Sequence, residues 1–185
     1  MKELVFLLEE PSMKEFLDIF LPKIFPANIS FKTIPHNGKS DLKKSIPIKL
    51  KAWKGEVSFV VLHDRDSNEC VNLKNELVQL CKEAGRPDTL VRIVCAELES
   101  WYLGDLEAVG IAYETESIRS RQNNRKFREP DRLGNPKEEL KKLVKTYQQI
   151  SGARNIARHM KIDSNTSHSF RVFIDGIRRI TADVI

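Results

Sequence analysis

Carboxylates gather at the ends of three apolar runs in this sequence. Glu9 and Glu10 follow Leu4-Val5-Phe6-Leu7-Leu8, Asp64 and Asp66 follow Val57-Ser58-Phe59-Val60-Val61-Leu62-His63, and Glu97 and Glu99 follow Val91-Arg92-Ile93-Val94-Cys95-Ala96. Hard oxygen donors of this kind suit Mg²⁺ or Mn²⁺. Such an ion takes one or two carboxylates and fills its shell with water and substrate phosphates. Acids gathered without a cation repel one another and raise their own pKa values. A bound divalent ion relieves that repulsion, polarises a phosphodiester and activates a water. A lone Asp-x-Asp in a loop is most often a cap or a turn, and Asp66 could simply cap the helix after it. The combination with a Glu at the end of another buried strand is what points to metal.

Three further groups carry possible chemistry beside a plainer reading. In His36-Asn37-Gly38-Lys39, Lys39 could meet a scissile phosphate and His36 could position a water. The plainer reading is a glycine turn with a solvated lysine, and it is favoured for His36. His63 adjoins Asp64 but reads as a core or supporting histidine. Trp101 and Tyr102 could stack on a base, yet such a pair is more often helix core.

The elements that must position these residues follow from periodicity. Residues 3–8, 29–34, 57–62 and 90–95 read as strands, the third a continuous apolar run typical of the middle of a parallel sheet. Residues 12–24, with Ser12 as cap, 39–53 and 68–84 read as helices, and Pro47 must bend the second or open a new first turn. The order β-α-β-α-β-α-β predicts an open, mostly parallel α/β sheet flanked by helices. In such sheets ligands bind outside the carboxyl ends of the strands, where the acids fall. After Glu99 the pattern changes to helices and loops. Residues 114–135 are polar and turn-rich and read as a long loop, followed by helices near 137–147, 153–159 and 169–180. This divides the chain into an α/β core over 1–112 and a basic helical extension over 113–185, packed as one unit.

Charge supports that division. Residues 119–161 hold thirteen Lys and Arg against four Asp and Glu, a surplus of nine, while the whole chain carries +5. A basic part beside an acidic one suits a module that attracts phosphates next to one that holds cations. Arg119, Arg121, Arg125, Lys126 and Arg128 are the candidate nucleic-acid contacts, and a solvated surface loop is the alternative. The three cysteines lack C-x-x-C spacing and read as reduced thiols, which argues against zinc and for a cytoplasmic protein. No apolar stretch is long enough for a signal peptide or membrane span, so no membrane partner is expected.

Taken together, Leu7-Leu8-Glu9-Glu10-Pro11-Ser12, His36-Asn37-Gly38-Lys39-Ser40-Asp41-Leu42, His63-Asp64-Arg65-Asp66-Ser67 and Glu97-Leu98-Glu99-Ser100-Trp101-Tyr102-Leu103-Gly104-Asp105 resemble the Toprim domain of topoisomerases, primases and OLD-family nucleases. More closely, they resemble the bacterial domain family of unknown function 4276, which has a Toprim-like core. Phe127 through Leu140 and Ile150-Ser151-Gly152-Ala153 extend that likeness over nearly the whole chain. The resemblance implies a Toprim-like fold and a divalent-metal-dependent endonuclease. Some members of that family accompany an ATPase in anti-phage defence. Glu9, Asp64 and Asp66 match the Toprim metal-binding acids, and Glu99 matches a further acid of the related family. Lys39 joins them as a catalytic candidate, with Glu10, His36 and Glu97 as additional ones. Expected partners are nucleic acid and an ATPase, with a homodimer as a further option. Two departures stand out. Glu10 replaces a common Gly, and Met13 replaces a common acid. The second puts a two-metal mechanism in doubt and keeps open a degenerate Toprim-like binding or regulatory subunit that acts through the ATPase. A phosphohydrolase on a related sheet is the third reading.

Overall fold

The computed structural model describes residues 2–65 and 70–182. Four strands, β1 (Lys2–Leu8), β2 (Ile29–Pro35), β3 (Val57–Asp64) and β4 (Leu90–Val94), form one sheet in the order β2-β1-β3-β4. Every neighbouring pair is parallel. Parallel strands need crossovers rather than hairpins. Helices α1 (Pro11–Phe20), α2 (Lys39–Ala52) and α3 (Cys70–Glu83) supply them. The expected α/β architecture, a parallel sheet flanked by helices, is the one the chain adopts.

The strands read as unbroken apolar runs because both faces of the sheet are covered. Side chains alternate along β1. Leu4, Phe6 and Leu8 join Phe16, Phe20 and Trp101 in one buried cluster. Val5 and Leu7 join Leu42, Ile46 and Leu77 in a second. The first cluster continues into α4 (Glu99–Leu103), α5 (Leu106–Ala112), α7 (Pro136–Leu143), α8 (Gln149–Ala157) and α9 (His168–Thr181), through Leu106, Leu140, Ile156 and Phe170. Helix α8 packs on α1 and α9 on β4. There the guanidinium of Arg92 lies where a Cβ on Gly176 would stand, its Nη2 2.5 Å from that position. No helix of the described residues is long and apolar enough to cross a membrane.

Several boundaries depart from expectation. The helix expected over 12–24 begins at Pro11, with Glu10 rather than Ser12 as cap residue. The Ser12 hydroxyl donates to the Glu10 carboxylate instead. The helix stops at Phe20 and tightens to a 3₁₀ turn over Leu21–Lys23, where Pro22 removes a backbone donor. Helix α2 continues without a break past Pro47, so no new helix opens there. The long loop expected over 114–135 is a chain of short helical turns: α6 (Glu116–Arg119), then 3₁₀ turns over Ser120–Asn123, Arg125–Phe127 and Pro130–Arg132. Ile118 and Phe127 anchor it in the core. Turns of three or four residues are too short to leave a helical period in the sequence.

Candidate functional site

Between β1 and β3 the sheet changes direction of winding: the crossover from β1 leads to β2 on one side, and β3 lies on the other. At such a switch point the loops part and leave a crevice at the carboxyl ends of the strands. Glu9 and Asp64 stand on its two lips. The Asp64 backbone N–H donates to Glu9 Oε2 at 2.9 Å, and His63 Nδ1 lies 2.8 Å from the same oxygen. The Glu9 backbone is fixed in turn: its N–H donates to Leu62 O (3.2 Å), and Gly38 N–H donates to Glu9 O (2.9 Å). Gly38 has φ +91°, a conformation that favours glycine. This turn sets Lys39, the exposed first residue of α2, beside the same edge. His36 is buried and holds the carbonyl of Leu8 through its backbone N–H (2.9 Å) and Nδ1 (2.8 Å).

Asp64 is the most unusual group in the molecule. It is 7% exposed, and its Oδ1 has no hydrogen-bond partner among the described residues. Burial, reinforced by the charges of Glu10, Glu9, Glu99 and Glu97, pushes its carboxyl well above the usual carboxylate range. The acids of all three strand ends therefore act on one buried carboxylate. The glutamates have protein donors. Gln149 Nε2 donates to both oxygens of Glu10 at 3.1 Å. The backbone N–H of Lys137, in the first turn of α7, donates to Glu97 at 3.0 Å. Tyr147 donates its hydroxyl proton to Glu99 Oε1 at 2.8 Å. Glu99 is 1% exposed, and burial raises its carboxyl to about 7 despite Lys137 and Tyr147, which pull it down.

Among the described residues no three His, Cys, Asp or Glu side chains are grouped so that they could hold a metal ion. Asp66 lies outside the described residues. The Asp64–Glu9 pair still fits a hard divalent cation. Such an ion needs only one or two carboxylates, and a buried acidic oxygen without a donor, inside a ring of negative charge, is the environment that a cation neutralises.

Sequence reasoning missed Tyr147 and did not connect Tyr102 with the acids. Tyr102 is fully buried beside Trp101, as core reading expects, but its hydroxyl has no partner among the described residues and feels the charges of Glu99, Glu10 and Asp64. Its place three residues after Glu99 on one helix was a usable signal. Tyr147 is 48 residues from Glu99, and no spacing rule connects them. Trp101 is core, donating from Nε1 to Ser169 Oγ at 3.0 Å.

The basic candidates divide into two kinds. Arg119 pairs with Glu116 (2.7 Å) and Glu107 (3.4 Å), and Lys126 pairs with Glu139. Arg121, Arg125 and Arg128 are exposed. The cysteines are unbridged, with the Sγ atoms of Cys70 and Cys95 3.7 Å apart.

A solved structure with a similar fold is the C-terminal region of the OLD protein of Xanthomonas campestris pv. campestris. It aligns over 97% of this chain and 95% of its own, with a TM-score of 0.52 and 12% identity, a likeness of fold alone. No curated protein matches the chain. Residues 8–178 match the family described as Domain of unknown function (DUF4276). That span takes in the switch-point acids, both tyrosines and the basic helical turns, and the chain belongs to this family.

Proposed function

We propose that the chain is a Toprim-like, divalent-metal-dependent nuclease that hydrolyses phosphodiester bonds in DNA or RNA. The observation that carries this reading is the buried, donor-free Oδ1 of Asp64 at the switch point, ringed by Glu9, Glu10, Glu97 and Glu99. The shared fold with an OLD C-terminal region supports it. Asp64 and Glu9 would hold Mg²⁺ or Mn²⁺, with Asp66 as a further ligand. When bound, the ion polarises the phosphodiester and lowers the pKa of a water. Glu99, whose carboxyl is raised to about 7 by burial, accepts or returns a proton while the Tyr147 hydroxyl fixes its Oε1. Lys39 neutralises phosphate charge at the edge. The cellular setting we propose is phage defence beside an ATPase.

A second reading is a degenerate subunit that acts through that ATPase. Met13 favours it, because the side chain is fully buried among apolar residues and offers no carboxylate. Cleavage of mixed DNA and RNA in Mn²⁺, with the ATPase supplied, separates the two. Nuclease activity that Asp64→Asn and Asp66→Asn abolish supports the first. An inactive wild type that nevertheless binds the ATPase moves the assignment to the second.

A further inference from the structure

A cleft of about 610 Å³ opens at the carboxyl edge of the sheet on the β4 side. Arg65, Arg128, Arg132, Arg171 and His168 line it, together with Cys95. The cleft adjoins the acidic site by covalent connection: Arg65 follows Asp64, and Cys95 follows the last residue of β4. Three separate segments bring these cations together, and of them only Arg128 belongs to the basic run that the sequence singles out.

The two acids in the lining are already committed. Asp131 accepts from Ser167 Oγ and from the Ser169 N–H, both at 2.6 Å, and so secures the first turn of α9. Glu129 pairs with Arg132 at 2.9 Å. Among the described residues, Arg65, Arg128 and Arg171 have no carboxylate partner; Arg128 Nε donates only to the Asn123 carbonyl, at 3.2 Å. Arginine presents a planar fork of donors that matches phosphate oxygens. A cleft of ~300–1,000 Å³ encloses a nucleotide-sized ligand rather than a single small anion. The described lining contains no Phe, Tyr or Trp, the large rings on which the bases of a bound strand ordinarily stack. The chemistry offered is therefore a grip on backbone phosphates without base readout.

We infer that this cleft holds the phosphodiester backbone of a nucleic-acid strand whose scissile phosphate lies at Asp64. The inference rests on the nuclease reading for its purpose but not for its test. It also reassigns the contact surface. Arg128 remains, Arg65 and Arg171 join it, and the carboxylate-paired Arg119 and Lys126 fall away.

The test is binding of a labelled single-stranded oligonucleotide to the full chain without divalent metal, over a range of salt. Arg128→Gln with Arg171→Gln should weaken binding at least tenfold. The slope of log affinity against log salt should flatten by about 1.4, since each phosphate contact on a single strand contributes ~0.7. Both side chains are exposed, so the thermal melt should not move. Lys51→Gln with Lys82→Gln, in the last turns of α2 and α3, should change neither quantity. Unchanged affinity and slope in the arginine variant overturn the inference, as does a wild type that does not bind at low salt. Displacement of the strand by pyrophosphate at equal phosphate concentration also overturns it, in favour of a free-anion site. Cleavage failing while the arginine effect holds removes the nuclease reading and leaves the cleft. The reverse result removes the cleft alone.

Discussion

Glu9 Oε2 accepts the backbone N–H of Asp64 at 2.9 Å, a bond that joins residues 55 apart in sequence across the switch point of the sheet. The carboxylate that shares the cation with Asp64 in the proposed site is thus also a strand-end clamp. The two roles separate by substitution. Glu9→Ala leaves a buried N–H without an acceptor and should cost about 1–3 kcal/mol in denaturant unfolding. Glu9→Gln keeps an acceptor and should retain most of that stability. Both should lose metal affinity in calorimetry. Equal stability of the two variants would show that the bond contributes nothing to the fold.

Asp64→Asn removes a charge that the fold holds at a cost. Burial and four neighbouring glutamates disfavour the ionised form. In metal-free buffer at neutral pH the variant should melt at or above the wild-type temperature. In Mn²⁺ the wild type should gain stability and the variant should not, since in the proposed site the ion needs the Asp64 carboxylate. Cleavage should fall at least a hundredfold. A melt depressed in metal-free buffer would mean that the carboxylate is a structural acceptor instead.

Glu99 sets a pH dependence. Its carboxyl is raised from the ordinary 4.5 to about 7, chiefly by burial. Between those values the folded chain keeps a proton that the unfolded chain has released. Stability is therefore greatest at the acid end of the window and is lost as pH rises through about 7, by about 3 kcal/mol in all. Glu99→Gln should flatten the profile by that amount when unfolding is followed from pH 4.5 to 8. A stability that rises over this range in the wild type would contradict the assignment.

Gly152→Ala should act on Glu99 from a distance. A Cβ there would stand 2.2 Å from the Tyr147 ring and 3.0 Å from the Tyr113 hydroxyl. Relieving that overlap should cost about 1–3 kcal/mol and should draw Tyr147 off Glu99. Since the tyrosine's hydrogen bond lowers the Glu99 pKa, the midpoint of the pH profile should move upward. Gly134→Ala, with open space around it, is the control and should change neither.

The readable part of this molecule was its parallel half. Leu4 to Leu8 and Phe59 to Leu62 are buried on both faces, so composition alone marked them as strands and pointed to Glu9 and Asp64 at their ends. The switch point between them was not legible, because strand order depends on how the crossovers wind. Ser12 was mistaken for the helix cap because its hydroxyl is a normal capping group; here it is taken up by Glu10. Tyr147 and the arginine cleft were out of reach for a common reason. Each arises where segments far apart in the chain meet, and neither leaves a local pattern.

The lateral borders of the sheet have a consequence for self-association. An open strand border is a template for a strand from another molecule. On β2 that border carries the exposed Lys32, folded over Trp53 at 5.4 Å, and ends in Pro35. Lysine and proline are both devices that discourage pairing there. On β4 Arg92 turns its guanidinium onto the Val91 carbonyl at 2.9 Å and the Val172 carbonyl of α9 at 3.1 Å, drawing the helix across the strand. Sheet growth from copy to copy is thus discouraged at both borders, and slow strand-templated aggregation has little to start from.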